Sequence, residues 1–290
     1  TLASAPFVLA PNANWSMVNF TLIPTASEAA AAFAVTLTTP GASVGLDMVF
    51  LEAGEWGRYR GMHLRKDVVE RLLLNGALRS IRLDGTSVVA NPNYLWQHAR
   101  GPAWLRPPRY GDCWYHYITN GFGMFDVLEL GEAANLSFVT VGINVRSETP
   151  ESAADFVEYC FANSSTPFGA LRATDGHPDP FDPTKVVVEL GNEEGGTDYS
   201  TDAVSIAKAM KQRLKLVAPT AATKLRWALA FNNWRQPWSL AADMVAAVGD
   251  DGTSDQLTWD QHDGGSPGGI SAFSAHDEMV TWLRTQGWTA

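Results

Sequence analysis

The sequence contains no run rich in lysine or arginine, and its 21 basic residues are outnumbered by 31 acidic ones, for a formal net charge of −10. Phosphate backbones are held by concentrated positive surface, so this balance argues against a nucleic-acid partner. Nor is there an apolar stretch of about 18 residues, the length a helix needs to cross a bilayer, so no membrane span is expected. Cysteine is scarce, with only Cys113 and Cys160 present. Two cysteines cannot build a disulfide framework and here lack metal-ligand spacing; two separate thiols and a single bridge both stay open. His63, His98, His116, His177, His262 and His276 show no ligand spacing with each other or with the cysteines, so neither a metal nor a cofactor is expected. The phosphate-binding pattern G-x-G-x-x-G follows no strand-like segment. The start, TLASAPFVLAPNANW, lacks the basic residues and long apolar core of a signal peptide, as if the signal had been removed or the chain began inside a longer precursor.

What is present describes a globular chain. Its 290 residues are 46% hydrophobic and 18% charged, enough for one large α/β domain or two smaller ones. Four glycosylation sequons, at Asn14, Asn19, Asn135 and Asn163, lean towards a secreted or lumenal protein. Residues 15–51 alternate or run apolar with β-branched residues between turn-formers such as Pro40-Gly41, which predicts strands. These are too few to close a sandwich alone, so residues 1–55 are expected to be the end of one.

From Met62 the rhythm changes to alternating helices and strands. LRKDVVERLLLNG, FGMFDVLELGEAAN, PESAADFVEYCF, STDAVSIAKAMKQRLKLVAP, WSLAADMVAAVG and HDEMVTWLRTQG carry apolar residues at helical spacing. ALRSIRLDG, LSFVTVGINV, VVVELGNE, LRWALAF and QLTWDQHD predict strands between them. Alternation of this kind implies a parallel sheet with right-handed crossovers, and strands apolar throughout imply that both faces are covered. The expected fold class for residues 56–290 is therefore α/β. A doubly wound sheet and a β/α barrel both fit; a TIM-type (β/α)8 barrel fits better, because Asp84, Asn144, Asn192-Glu193 and Asp260-His262 fall at the carboxyl ends of strands, where a barrel builds its site.

VVVELGNEEGG, residues 186–196, drives a buried run into Asn192, Glu193 and Glu194. A carboxylate beside an amide at a barrel mouth suits sugar chemistry. Glycosidic cleavage needs one carboxylic acid to protonate the leaving oxygen and a second group as nucleophile or base. The long loop over residues 91–121 holds Trp96, Trp104, Tyr110, Trp114, Tyr115 and Tyr117, whose rings can cap the barrel, stack on sugars, or do both.

The ordered set LRKDVVERLLLNGALRSIRLDG, NGFGMFDVLELGEAANLSFVTVGINV, ESAADFVEYC and VVVELGNE, with Gly101-Pro102 and Arg106-Pro107 in the loop, resembles the α-L-arabinofuranosidases of glycoside hydrolase family 51 over residues 40–195. The resemblance implies a retaining hydrolase of terminal arabinofuranosyl residues on oligo- or polysaccharides. It implies Glu193 as acid/base, Asn192 on the sugar 2-hydroxyl, and Asn144, His262, Arg82 and Trp96 as further substrate-binding residues. It also implies strands 2–6 of a barrel, because no later strand offers the second carboxylate. Asp84-Gly85-Thr86 stands where the family has a proline-glycine turn, Asp263-Gly264 where it has a tyrosine, and Glu194-Gly195 follows the acid/base. A five-strand sheet with two open edges would be prone to aggregate, so a further chain or chain segment is expected to complete it. The other reading is an inactive hydrolase-like subunit that binds glycans or another protein. Asp84, Asp260 and Asp263 are more readily loop-end aspartates than a substitute nucleophile.

Overall fold

The computed structural model describes residues 3–9, 14–47, 49–83, 94–110, 116–192, 201–231, 239–249 and 257–261, with 281, 282, 284 and 285. The chain divides into two compact units, Thr1–Val49 and Phe50–Ala290.

In the first unit no described residue belongs to a β-strand. Among the described residues of 15–51 no strand is seen, and the apolar side chains there are largely exposed. Val8, Trp15, Met17 and Ile23 are exposed by 96%, 75%, 62% and 81%. Alternating apolar residues make a strand only when a neighbouring strand satisfies the backbone and a second layer covers one face.

The second unit follows the expected alternation. In chain order it contains α1 (Lys66–Leu73), β1 (Ser80–Leu83), β2 (Arg109–Tyr110), β3 (Tyr117–Ile118), α2 (Met124–Ala133), β4 (Phe138–Ile143), α3 (Pro150–Phe161), α4 (Pro167–Thr174), β5 (Val186–Leu190), α5 (Thr201–Val217), α6 (Pro219–Lys224), β6 (Arg226–Phe231), α7 (Ser239–Val248) and β7 (Leu257–Gln261). The described residues of the closing segment, Thr281, Trp282, Arg284 and Thr285, are helical. The strands form one sheet in the order β1-β4-β5-β6-β7, every pair parallel. Among the described residues this sheet does not close into a barrel; β1 and β7 are its outer strands.

Local chemistry sets the helix ends. Thr149 and Thr166 cap α3 and α4, accepting from the backbone N–H of Ser152 at 3.1 Å and of Gly169 at 3.2 Å, with Pro150 and Pro167 in the first turns. Asp126 reaches back to the N–H of Gly123 at 2.7 Å and opens α2. Gly131 lets α2 lie directly on the sheet, since a Cβ there would sit 2.4 Å from Val139 Cγ2.

Strand residues alternate between two faces. Val139, Val141 and Ile143 of β4, Val186, Val188 and Leu190 of β5, and Trp227 and Leu229 of β6 join the main core. Phe156, Val157 and Cys160 of α3 and Ile206, Met210 and Leu214 of α5 belong to the same cluster. α3 and α5 pack along each other, tied by Arg213 to Asp155 at 2.9 Å and to Glu158. Ser80, Arg82, Thr140, Gly142, Val187, Glu189 and Ala228 take the alternate positions, and so the opposite face of the sheet. That face carries the candidate site.

Candidate active site at the strand ends

Arg82 on β1 is in register with Thr140 on β4, and Thr140 with Val187 on β5. One pleat further on, Gly142 stands opposite Glu189. With no side chain at Gly142, the row between β1 and β5 stays open and the Arg82 side chain crosses β4. Its Nε donates to Glu189 Oε2 and its Nη2 to Glu189 Oε1, both at 2.7 Å. Nη2 also donates to Asn192 Oδ1 at 3.0 Å. Glu189 is wholly buried and Asn192 is 2% exposed, while the Arg82 side chain keeps 36% exposure. This two-pronged geometry is the strong form of a guanidinium–carboxylate pair.

The backbone delivers Asn192 to this point. β5 ends at Leu190, and Gly191 takes φ 84°, with its N–H donating to the Ile143 carbonyl at 3.1 Å. A left-handed residue there turns the chain without strain only when it lacks a Cβ. An arginine can only donate, so the Asn192 carboxamide must turn its oxygen to Arg82 and its NH2 away from it.

Asn144 follows β4 and is 1% exposed. Its Nδ2 donates to the Tyr94 carbonyl at 3.1 Å, and its Oδ1 accepts from the Arg146 N–H at 3.1 Å. It ties the loop arriving from β1 to the end of β4. Glu148, 6% exposed, accepts from the Trp96 N–H at 2.8 Å and from the Ser152 hydroxyl. Burial pushes its carboxyl above the usual range, against the pull of those hydrogen bonds.

Trp96 requires a correction. It was expected to bind substrate, but it has no exposed surface. Its ring packs among Phe125, Phe156, Tyr159 and Phe168 at centroid distances of 5.4–6.2 Å, and its Nε1 donates to the Ser152 carbonyl at 2.8 Å. An indole satisfied at its N–H and surrounded by rings gains more as core than as a platform. Among the described residues the exposed rings of that loop are Trp104, Tyr110 and Tyr117, the two tyrosines paired across the β2–β3 hairpin at 5.1 Å and exposed by 62% and 49%. Two buried arginines hold the loop. Arg106 donates to the carbonyls of Gly101 and Asn120 and pairs with Asp126, and Arg109 donates to Asn120 Oδ1 at 2.8 Å.

Glu193, Glu194, His262, Asp84, Asp263, Cys113, Trp114 and Tyr115 lie outside the described residues; Asp260 falls in β7. Cys160 is enclosed, and burial pushes its thiol well above the ordinary range. Among the described residues no group of three or more His, Cys, Asp or Glu is placed to hold a metal ion, and no helix is long and apolar enough to cross a membrane. Glu189 is the site residue that sequence reasoning passed over. The signal was available: a carboxylate, next to last in an otherwise apolar strand.

The fold has clear counterparts. The α-L-arabinofuranosidase of Thermotoga maritima, solved with arabinose, superposes with a TM-score of 0.51 at 23% identity, over 72% of this chain and 41% of its own. The family 51 arabinofuranosidase of Xanthomonas axonopodis pv. citri gives 0.53 at 22% identity, over 79% of this chain and 48% of its own. These likenesses define the fold as that of the (β/α)8-barrel arabinofuranosidases, of which five strands are described here. The family model described as "Alpha-L-arabinofuranosidase 1 domain" matches residues 77–235, more than half of the sequence, and the chain belongs to that family. Alpha-L-arabinofuranosidase 2 of Arabidopsis thaliana is 28% identical over 201 residues, 64% of this chain and 29% of the relative. The exo-alpha-(1->6)-L-arabinofuranosidase of Bifidobacterium longum is 31% identical over 156 residues, 51% of this chain and 29% of the relative. The chain thus spans about three tenths of the length of the curated relatives it matches.

Proposed function

We propose that this chain forms part of a retaining glycoside hydrolase that removes terminal arabinofuranosyl residues from oligo- or polysaccharides. The observation that carries the reading is the meeting of Arg82 and Asn192 at the carboxyl end of the sheet, in a chain of this family. Glu193 follows Asn192 directly and serves as the acid/base. Asn192 holds the sugar 2-hydroxyl, with Asn144 and His262 near the scissile sugar. Tyr110 and Tyr117 replace Trp96 as the rings offered to the substrate. The second carboxylate, which a retaining mechanism needs as nucleophile, comes from a further segment or chain that completes the barrel. The exposed positions of Asn14, Asn19, Asn135 and Asn163 support glycosylation and a secreted or lumenal location.

The test is hydrolysis of 4-nitrophenyl α-L-arabinofuranoside by the full-length protein and its Glu193→Ala variant. Removing a general acid/base should lower kcat by about 10²–10⁴-fold. A variant as active as the wild type would remove Glu193 from the mechanism. The engagement of Arg82 by Glu189 favours a second reading, a glycan-binding subunit without turnover. Saturable arabino-oligosaccharide binding with no hydrolysis would establish it.

A further inference from the structure

We propose that Glu189 is a positioning residue for this site: through Arg82 it fixes which way the Asn192 carboxamide faces. The proposal rests on Asn192 as a substrate-binding residue, although its first readout does not depend on turnover.

Glu189 is wholly buried near the end of β5, where a carboxylate is strongly penalised by desolvation unless it is paired. Its pairing is specific. Both oxygens accept from one guanidinium, one from Nε and one from Nη2, at 2.7 Å each. Such a fork leaves the guanidinium plane no freedom to rotate about its long side chain. The same Nη2 reaches Asn192 Oδ1 at 3.0 Å. Because this nitrogen carries two protons, one serves Glu189 and the other Asn192. The plane set by the carboxylate therefore sets the direction of the proton offered to the amide. Asn192 answers with its oxygen, and its NH2 turns away from Arg82.

The consequence is chemical. A carboxamide held oxygen-inward presents its NH2 as the donor to a sugar hydroxyl that reaches it, and hydrogen bonds to the 2-hydroxyl are ones that strengthen in the transition state. Flipped, it would offer an acceptor instead. Glu189 touches no substrate; it acts at one remove, from below the strand end. A lone arginine would not suffice, because its four-bond side chain would sample rotamers that leave Asn192.

The experiment is 1H–15N NMR of the labelled full chain, wild type against Glu189→Gln, with the Asn192 side-chain amide assigned by its loss in Asn192→Asp. The wild type should show a slowly exchanging Arg82 Nε–H and a single Asn192 NH2 pair. Glu189→Gln should lose the first and shift or split the second. The Asn144 NH2 pair, held by the Tyr94 carbonyl, should stay in place as an internal control. Should Glu189→Gln not fold, Arg82→Lys replaces it, because an ammonium keeps the charge but not the fork. An unmoved Asn192 pair in the folded variant overturns the proposal. In the turnover assay, Glu189→Gln should lower kcat about a hundredfold, the cost of a misplaced contact, with KM little changed. A wild type that hydrolyses arabinofuranosides beside a variant of equal kcat/KM would also overturn it. A wild type without turnover defeats the proposed function alone, and the amide spectra still decide the role of Glu189.

Discussion

Arg82 and Arg172 are two arginines that each satisfy buried acceptors, and the protein uses them in opposite ways. Arg172, on α4, is wholly buried, and among the described residues its partners are main-chain carbonyls. Nη1 donates to Tyr159 at 2.6 Å and Ala162 at 2.8 Å, Nε to His177 at 3.0 Å, and Nη2 to Pro178 at 3.1 Å. Burial pulls its pKa below the usual guanidinium value. It ties the end of α3 to the loop that leads into β5, and so works on the backbone. Arg82 binds a carboxylate and a carboxamide, two side chains at the end of the sheet where a barrel places its chemistry. Main-chain partners make a cross-link; side-chain partners make an aiming device.

The comparison predicts different responses to substitution. Arg172→Met should be the most damaging change, because it strands several buried carbonyls, each about 1–3 kcal/mol when unsatisfied. Denaturant unfolding should show a loss of about 3–5 kcal/mol or failure to fold, and Arg172→Lys should recover little, having only three donors. A loss below about 1 kcal/mol would mean that water takes over those carbonyls. At the other arginine, Arg82→Met should cost up to about 3–5 kcal/mol by taking the fork from the buried Glu189 carboxylate, Glu189→Leu should cost less because the Arg82 side chain keeps access to water, and the double variant should regain most of the first loss. Stability that is additive across this cycle would show that the pair is not coupled.

The smallest effect lies beside Arg172. His177 donates from Nε2 to the Glu132 carboxylate at 2.8 Å, and its ring stacks on Phe181 at 4.2 Å. The Glu132 carboxylate raises the His177 pKa, against the opposing effect of burial. A raised folded-state value means that the contact stabilises fully below the unfolded histidine value, about 6.5, and is lost as pH rises through the folded value. The melting temperature of His177→Gln should therefore approach that of the wild type at pH 8 and fall below it at pH 5.5. The pair is worth about 0.2–1 kcal/mol. A gap that widens with pH would reverse the sign and sink this account.

Much of the second unit was legible in sequence because its signals are local. PESAADFVEYCF became α3 over the expected residues, with Thr149 and Pro150 marking its start. VVVEL became β5, buried at every position. The short helices α4 and α6 and the β2–β3 hairpin were missed: α6 and the hairpin strands hold too few residues for a period to show, and α4 carries Pro167 and Gly169 within its eight. In the first unit the alternating pattern meets no covering layer among the described residues, and no strand is seen there.

At the site, the sequence by itself determined which chemical groups arrive at the strand ends: an apolar run, a glycine that can turn, then an amide and an acid. Only the tertiary structure decided what those groups face. Glu189 and Arg82 are 107 residues apart in the chain, and Trp96 meets Ser152 across 56. No spacing rule joins such positions; strand register and an open row at Gly142 do. Hydrogen bonds reach about 3 Å, so partnership belongs to the fold, while the capacity to donate or accept belongs to the residue.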